Sequence, residues 1–225
     1  MNVQLIQSVG SDEMIVRAAR VSVGRDDEAA TEAKQRGLIR YLIKSLHGSP
    51  FEHNSLTFLI EAPLFVLQQF ARHRAGVSLS VLSGRYAEVD RPEFWFPDKS
   101  RPVKKVDGFT PARPEFEVDE NLSKRVGEVL EEAYEYAYDF YALLVDDRDV
   151  PAEVARAVLP QGLMTRWYAT FNVRSLMHFL SLRTSSGESY PQYEIEEVAQ
   201  QMEYCFMDLF PITHRAWDGA GRGSV

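Results

Sequence analysis

The order of hydrophobic and polar positions along the chain predicts a mixture of strands and amphipathic helices. Short runs rich in apolar and β-branched residues predict strands at Val3–Val9, Asn54–Ile60 and Met164–Phe171, with an edge strand at Phe94–Phe96. Apolar residues at helical spacing predict the helices, and start and stop signals bound them. The first predicted helix follows Ser11 or Asp12, the second includes Leu38–Leu46, and the third opens at Pro63. The others are Asn121–Val145, Pro151–Pro160, Val173–Leu182 and Tyr193–Phe210.

The longest predicted helix, Asn121–Val145, carries a broad apolar stripe, which favours packing in the core or against another subunit. The stripe consists of Leu122, Val126, Val129, Leu130, Ala133, Ala137, Phe140, Tyr141 and Leu144. Two other segments lack such a pattern. We expect Pro97–Val118 to be a long functional or mobile loop, and the glycine-rich segment from Gly219 to be a frayed, flexible tail.

Composition narrows the class of protein. With 225 residues, 45% of them hydrophobic and 26% charged, the chain is predicted to form one globular domain over residues 1–225. A formal net charge of −8 argues against a nucleic-acid partner or an anionic membrane. Neither a signal segment nor an apolar run of about 18 residues is present, so a cytoplasmic protein is expected. The single cysteine, Cys205, excludes an intrachain disulfide.

The segment Arg72–Tyr86, RHRAGVSLSVLSGRY, is the main candidate for chemistry. It places three arginines, one histidine and three serines directly after an apolar helix. Guanidinium groups bind phosphate oxygens in bidentate fashion, and hydroxyl and backbone N–H groups add neutral donors. A solvated basic turn is the alternative, but the apolar residues interspersed in this segment favour a site for a small anion.

Other candidates stand alone in the sequence. Ser22 is a possible ligand contact, and Arg156 is a conspicuous cation on an otherwise apolar helix face. His47, Glu52 and His53 match no standard spacing of metal ligands, so no metal site is predicted and Glu52 is favoured as a cofactor contact.

Several motifs in one order give the chain a resemblance to the flavin-dependent thymidylate synthases. They are RAARVS from Arg17, SPFEH from Ser49, the RHR and SGRY groups of the segment above, EVARAVLP from Glu153 and FNVRSLMHFLSLR from Phe171. The resemblance implies an α+β fold with an antiparallel sheet flanked by long helices, assembled as a homotetramer with sites shared between subunits. It implies methylation of dUMP to dTMP, with FAD as cofactor and NADPH and 5,10-methylenetetrahydrofolate as co-substrates.

The resemblance also implies roles for individual residues. The FAD contacts would be Ser22, Ser49, Glu52, Arg72, His73, Arg74, Asn172, Arg174, His178 and Leu182. The dUMP contacts would be Gln69, Arg72, Ser83, Gly84, Arg85, Arg156 and Arg183, with Arg183 the catalytic residue that favours ionisation of the uracil. Cys205 lies on an apolar helix stripe and is expected to be a buried structural thiol, in keeping with flavin chemistry that needs no protein nucleophile.

Three departures from the family pattern are visible. One extra residue lies within Ala75–Leu82, and we expect Gly76 to absorb it through an unusual backbone conformation. Val81 replaces a frequent acidic residue, and His178 stands where asparagine is usual, before a longer loop at Thr184–Tyr190. Two alternatives remain at this point: a nucleotide-binding homologue that has lost flavin chemistry, and a nucleic-acid-binding module built on the Arg72–Arg85 segment.

Overall fold

The computed structural model describes residues 1–25, 30–86, 89, 92–110, 114–147, 150–185 and 189–225. The strands are β1 (Asn2–Val9), β2 (Ser55–Pro63), β3 (Val77–Val81), β4 (Lys104–Lys105), β5 (Phe116–Glu117) and β6 (Met164–Asn172). The α-helices are α1 (Asp12–Arg20), α2 (Glu32–Lys44), α3 (Leu64–Phe70), α4 (Glu120–Ala142), α5 (Ala152–Ala155), α6 (Val173–Arg183), α7 (Tyr193–Leu209) and α8 (Pro211–Asp218). Short 3₁₀ turns lie at Val21–Val23, Ser49–His53 and Arg156–Val158, and a π turn at Leu143–Asp147 follows α4. The predicted α+β class is confirmed.

The chain divides into two compact units. The first, here called the flavin unit after the residues predicted for it, comprises residues 1–60, 69–80 and 167–225. The second, here called the arginine-turn unit, comprises residues 61–68 and 81–166. The single catalytic domain expected from the sequence stays a prediction.

A four-stranded antiparallel sheet has the order β1-β2-β6-β3. Side chains on β2 alternate between buried and half-buried, so Leu56, Phe58 and Ile60 enter the core. Thr57 and Thr170, on the neighbouring strands β2 and β6, share a hydrogen bond of 2.9 Å between their hydroxyl groups. The sheet therefore buries the face that carries Leu56, Phe58 and Ile60, and the Thr57–Thr170 pair lies on the other face.

The core of the flavin unit is aromatic. The ring of Phe70, at the end of α3, lies 5.4 Å from Trp167, 5.6 Å from Phe171 and 4.9 Å from Phe179, measured between ring centroids. All four side chains are fully buried. Edge-to-face and tilted packing of this kind adds to the stability gained from burial. It fixes the end of α3, and therefore the start of the Arg72 segment, against α6.

In the arginine-turn unit, α4 packs through two tyrosines. Tyr134 stacks on Phe94 with 4.6 Å between ring centroids, and Tyr134 and Tyr141 are buried. A Cβ at Gly162 would stand 2.1 Å from the Tyr134 hydroxyl, so only glycine fits there. The predicted apolar stripe of α4 is covered only in part, because Val129 and Phe140 remain 67% and 57% exposed.

A carboxylate in the first turn of α1 caps α8. Asp12 is buried, and its two oxygens accept hydrogen bonds from the backbone N–H groups of Ile212 and Thr213 at 2.8 and 2.9 Å. The Thr213 hydroxyl donates to the same carboxylate. These bonds satisfy N–H groups that the first turn of any helix leaves free.

The C-terminal segment differs from its prediction. Residues 219–225 were expected to be frayed, yet Arg222 is only 8% exposed and ion-paired with Glu203 and Asp218. Val225 is buried as well. The glycine-rich composition of the segment conceals this anchoring, because the partners of Arg222 lie on α7 and α8.

Other boundaries also differ from those predicted. Helix α8 was not predicted, since the last predicted helix was Tyr193–Phe210; Pro211 opens α8 because proline is favoured at the first turn of a helix. Phe94 forms only an isolated bridge to Leu163 rather than a strand, and the Pro97–Val118 loop contains the β4–β5 pair, in which Lys104 faces Glu117. Among the described residues, no helix is long and apolar enough to cross a membrane.

Candidate active site

The RHR group occupies the turn that follows α3 in the flavin unit. The backbone N–H of Arg72 donates to the Gln69 carbonyl and that of His73 to the Phe70 carbonyl, at 3.3 and 3.1 Å. Arg72 and Arg74 are exposed, and within the described part of the chain neither is ion-paired with a carboxylate. These two guanidinium groups are therefore available to an anionic ligand.

Gly76 closes this turn with a positive φ of 65°, which confirms the unusual backbone predicted there. Its carbonyl accepts from the Asn172 backbone N–H at 3.3 Å, and the Ser175 hydroxyl donates to the Ala75 carbonyl at 2.7 Å. A Cβ at residue 76 would lie 2.2 Å from Ser175 Oγ and 2.4 Å from Asn172 Nδ2. The start of α6 thus holds the turn closely, and only glycine fits between them.

Arg183, the last residue of α6, contacts His73. Its Nε donates to His73 Nε2 at 3.0 Å, so this imidazole nitrogen acts as an acceptor and the ring is neutral, with its proton on Nδ1. Burial, the Arg183 charge and His178 together lower the pKa of His73 to about 4. Burial also lowers the pKa of Arg183, although an arginine keeps its charge at any working pH. The pair places a fixed cation next to a neutral ring.

Arg174, in the first turn of α6, has two partners. Its guanidinium forms an ion pair of 2.5 Å with Glu52 of the SPFEH turn, and its Nε donates to the backbone oxygen of Val225 at 2.6 Å. A Cβ at Gly48 would stand 2.4 Å from Arg174 Nε, so the backbone before that turn lies directly against the arginine. Asn172 caps α6, because its Oδ1 accepts from the Ser175 N–H at 2.8 Å.

The remaining predicted residues of the flavin unit lie at its surface. The Ser22 hydroxyl donates to the Ala19 carbonyl of the preceding helix, and Ser49 is exposed in its 3₁₀ turn. Leu182 is 41% exposed near the end of α6. Gln69 donates from its amide to Gln192 at 2.5 Å.

A second cluster forms in the arginine-turn unit around Ser83, Gly84, Arg85 and Arg156. Arg85 forms an ion pair of 2.9 Å with Glu153, and Arg156 Nε donates to the Glu153 carbonyl at 3.3 Å. The Ser83 hydroxyl accepts from the Arg85 N–H at 3.3 Å, and a Cβ at Gly84 would lie 3.5 Å from the Arg156 side chain. Sequence motifs 68 residues apart are therefore brought together.

The structure thus places the predicted residues in two groups. All those predicted for FAD belong to the flavin unit, together with Gln69 and Arg183. Ser83, Gly84, Arg85 and Arg156, predicted for dUMP, belong to the arginine-turn unit. Residues 186–188 of the predicted Thr184–Tyr190 loop lie outside the described residues.

Several residues that contact the predicted ones were not themselves predicted. Glu153 stands within the EVARAVLP motif, so its proximity to Arg156 was open to inference, but its pairing with Arg85 was not. Gln192, Ser224 and Val225 carried no local signal, because their contacts with Gln69, His178 and Arg174 span 123, 46 and 51 residues.

Among the described residues, neither cluster provides a metal site or a cysteine that could act as a nucleophile. In the part of the chain that the structure describes, no group of three or more His, Cys, Asp or Glu residues is placed to hold a metal ion. Cys205 is half-buried rather than fully buried as expected, and burial followed by the Asp208 charge raises the pKa of its thiol. The groups present suit binding of anions and stabilisation of negative charge.

Comparison with known proteins agrees with this chemistry. The family model described as thymidylate synthase complementing protein matches residues 4–212. A flavin-dependent thymidylate synthase from Streptomyces coelicolor is 43% identical over 231 residues, covering 99% of this chain and 92% of that protein. One from Tropheryma whipplei is 40% identical over 232 residues, with coverage of 99% and 94%.

A solved structure extends the likeness to three dimensions. The crystal structure of the UMP/dUMP methylase PolB from Streptomyces cacaoi bound with 5-Br dUMP aligns with a TM-score of 0.92 and 42% identity. The alignment covers 100% of this chain and 97% of that one. The family model and these near full-length likenesses lead to one conclusion: the chain belongs to the thymidylate synthase complementing protein family, that of the flavin-dependent thymidylate synthases.

Proposed function

We propose that this protein is a flavin-dependent thymidylate synthase that methylates dUMP to dTMP. FAD is the proposed cofactor, and NADPH and 5,10-methylenetetrahydrofolate are the proposed co-substrates. The observation that carries the proposal is the Arg183–His73 hydrogen bond of 3.0 Å, which fixes a permanent cation among the residues predicted for flavin and substrate. The names of the relatives, 40–43% identical to this chain, support the same reaction.

The donor set of the flavin unit fits FAD. Arg72 and Arg74 supply guanidinium groups for the diphosphate, and Arg174 adds a third that is already oriented by Glu52. When bound and reduced by NADPH, the flavin supplies the hydride that completes the methyl group. The other contacts proposed for the cofactor are Ser22, Ser49, His73, Asn172, His178 and Leu182.

The proposed nucleotide contacts divide by chemistry. Arg85 and Arg156 bind the phosphate of dUMP, with the Ser83 hydroxyl and the backbone at Gly84 as neutral donors. Gln69, Arg72 and Arg183 complete the proposed set. Arg183 stabilises the negative charge that develops on the uracil ring, a task for which a fixed guanidinium is suited.

His73 orients Arg183 for that task while carrying no charge of its own. Because the pKa of His73 is lowered to about 4, the imidazole stays neutral near pH 7 and accepts from the guanidinium. A protonated imidazole would repel Arg183. The neutral ring therefore orients the arginine and leaves its remaining N–H groups for the substrate.

A homotetramer is the proposed assembly. The apolar residues left exposed along one face of α4, Val129, Tyr136 and Phe140, support it, because exposed apolar surface often marks a subunit interface. Light scattering at micromolar concentration tests this point, and a monomer would contradict it. The cytoplasmic location expected from the sequence stays a prediction.

Methylation of UMP is a second candidate reaction. The structural relative from Streptomyces cacaoi is described as a UMP/dUMP methylase, and a second crystal structure of it contains 5-Br UMP. That structure aligns with a TM-score of 0.89 and 41% identity. The two nucleotides differ only at the ribose 2′ position, so both belong in the assay.

The test begins with a visible spectrum of the purified protein, where bound flavin gives a yellow solution. The protein is then incubated with FAD, NADPH, 5,10-methylenetetrahydrofolate and either dUMP or UMP, and methylated products are separated by chromatography. We expect dTMP from dUMP. A colourless protein with no affinity for FAD that still binds dUMP would instead identify a non-catalytic homologue, and methylation of UMP alone would reassign the substrate.

A further inference from the structure

The C-terminal segment, residues 219–225, contacts two of the residues proposed to bind FAD. Ser224 Oγ lies 2.9 Å from His178 Nδ1, and the backbone oxygen of Val225 accepts from Arg174 Nε at 2.6 Å. Both partners lie on α6, one turn apart, and both are exposed. The contacts therefore occur on the outward face of the helix, where a ligand has access.

This segment is held firmly enough to position a side chain. Arg222 donates to Glu203 at 2.6 Å and to Asp218 at 3.1 Å, and its guanidinium lies 4.5 Å from the centroid of the Trp217 ring. Trp217 Nε1 in turn donates to the Gly223 carbonyl at 2.8 Å. Ser224 follows Gly223 in the chain, so these bonds fix the backbone that places the Ser224 hydroxyl against α6.

The bond to Ser224 decides what His178 offers a ligand. An imidazole has two nitrogens, and the hydrogen bond made by one determines the orientation of the ring and the protonation of the other. With Nδ1 engaged by Ser224, Nε2 is the atom left for a ligand. The ring of His178 also lies 6.2 Å from that of His73, which holds Arg183, so its orientation bears on the proposed catalytic residue.

We propose that Ser224 is a positioning residue for the flavin, acting through His178. Its hydroxyl fixes the imidazole so that Nε2 contacts the bound FAD, and the Arg222 contacts hold the hydroxyl in place. The inference rests on the proposed function, since it requires that the protein bind FAD.

A double-mutant cycle tests this role. The four proteins are the wild type, Ser224→Ala, His178→Asn and the double variant, and the measurement is the FAD dissociation constant of each flavin-free protein. Because a neutral hydrogen bond is removed, Ser224→Ala should weaken the affinity by about three- to tenfold. The His178→Asn variant has no imidazole for Ser224 to contact. In that variant, the further change Ser224→Ala should alter the affinity for FAD by less than about twofold.

Two further variants separate positioning from general damage. Ser181→Ala is the matched control, because its hydroxyl donates at 2.8 Å to the backbone carbonyl of His178 rather than to the ring. Its affinity for FAD should stay within about twofold of wild type. Ser224→Thr keeps the hydroxyl and should restore most of the affinity. A shift of the bound-flavin absorption peak in Ser224→Ala alone would report the altered imidazole directly.

The outcomes are distinguishable. Tight FAD binding that Ser224→Ala leaves unchanged would overturn the positioning role while leaving the proposed function intact. Equal losses on Ser224→Ala in the wild-type protein and in the His178→Asn variant would show that Ser224 acts through the backbone rather than through the ring, and would also overturn it. A wild-type protein without affinity for FAD would remove the proposed function, and this inference with it.

Discussion

The two arginine clusters differ in how their charges are held. Arg183 stands at the end of a helix whose inner face, including Leu176, Phe179 and Leu180, is fully buried, and it contacts a neutral imidazole. Arg85 lies on a surface turn, paired with a carboxylate, and its side chain is 53% exposed. Arg183 is half-buried whereas Arg85 is exposed, so water screens the second charge more than the first. This difference supports the proposal that Arg183 stabilises charge during the reaction and that Arg85 binds an exchangeable anionic ligand.

The comparison predicts the largest effect at Arg183. In Arg183→Ala, dTMP formation should fall by about 10²–10³, because a preorganised donor to a developing negative charge is lost. Flavin should remain bound and reducible by NADPH, as absorbance will show. Arg183→Lys should recover only part of the rate, since a point charge does not reproduce a planar fork. Near-normal turnover in the alanine variant would mean that Arg183 is only a cation at the helix C-terminus, where it contributes little to stability.

Gly76→Ala tests how rigid the flavin unit is around the RHR turn. The substitution combines a positive φ with a Cβ at 2.2 Å from Ser175 Oγ, so we expect a loss of about 2–4 kcal/mol in the free energy of unfolding and weaker FAD binding. Gly24→Ala is the matched control, because Gly24 has the same φ of 65° and no atom of the described residues lies within 4 Å of its Cβ position. The control should lose about 1 kcal/mol. Equal losses of unfolding free energy in Gly76→Ala and Gly24→Ala would mean that α6 moves to accommodate the added methyl group at residue 76.

Arg85→Ala probes the arginine-turn unit. Removal of a charge-assisted contact to phosphate should weaken dUMP binding about ten- to a hundredfold, equivalent to about 1.5–3 kcal/mol, and Arg156→Ala should behave similarly. Flavin content should be unchanged, because neither residue belongs to the flavin unit. Calorimetric titration with dUMP and the flavin absorbance of the same samples give both readings. Loss of FAD with unchanged dUMP affinity would reverse the roles assigned to the two clusters.

The neutral state of His73 gives the flavin unit a pH dependence. Since the pKa of His73 falls from 6.5 to about 4 on folding, the unfolded chain takes up the proton first as pH falls, and stability is lost between about pH 6.5 and pH 4. The loss from this partly buried ring should be about 1–2 kcal/mol. His73→Gln should remove that part of the slope in urea unfolding of the flavin-free protein. An unchanged slope would mean that the pKa of His73 does not change on folding.

The smallest effect is expected at Glu153, whose carboxylate competes with a phosphate for Arg85. An exposed ion pair contributes at most about 1 kcal/mol, so Glu153→Gln should tighten dUMP binding by no more than about fivefold. The gain should shrink as salt is added, because screening already weakens the pair. Weaker binding in this variant would show that Glu153 orients Arg85 instead of occupying it.

Local patterns predicted the elements better than the contacts between them. Helix α6 was predicted as Val173–Leu182 and observed as Val173–Arg183, because a buried strand, an asparagine cap and helical spacing all agree there. The positive φ at Gly76 was anticipated from an extra residue next to a glycine. Both signals lie within a few residues of the feature that they predict.

Features that depend on distant partners escaped prediction. The packing of residues 219–225 depends on ion pairs of Arg222 with α7 and α8, which its glycine-rich surroundings do not suggest. The pairing of Arg85 with Glu153 likewise joins residues far apart in the chain. The motifs predicted Ser83, Gly84, Arg85 and Arg156 for one ligand, and these four residues lie together. The charge state of His73 and the partner of Arg85 required the folded structure.

The cap that Asp12 provides for α8 has a consequence for synthesis of the protein. Its carboxylate accepts hydrogen bonds from the backbone groups of Ile212 and Thr213, 200 and 201 residues later, so a nascent chain makes this acceptor long before its donors. The flavin unit as a whole draws on residues 1–60, 69–80 and 167–225. While residues 167–225 are still within the ribosome, the aromatic core beneath α6 lacks several of its rings, and the unit can close only after these residues have emerged. Long-range closure of this kind slows folding, so the apolar strands of the emerging chain stay exposed until residues 167–225 join them.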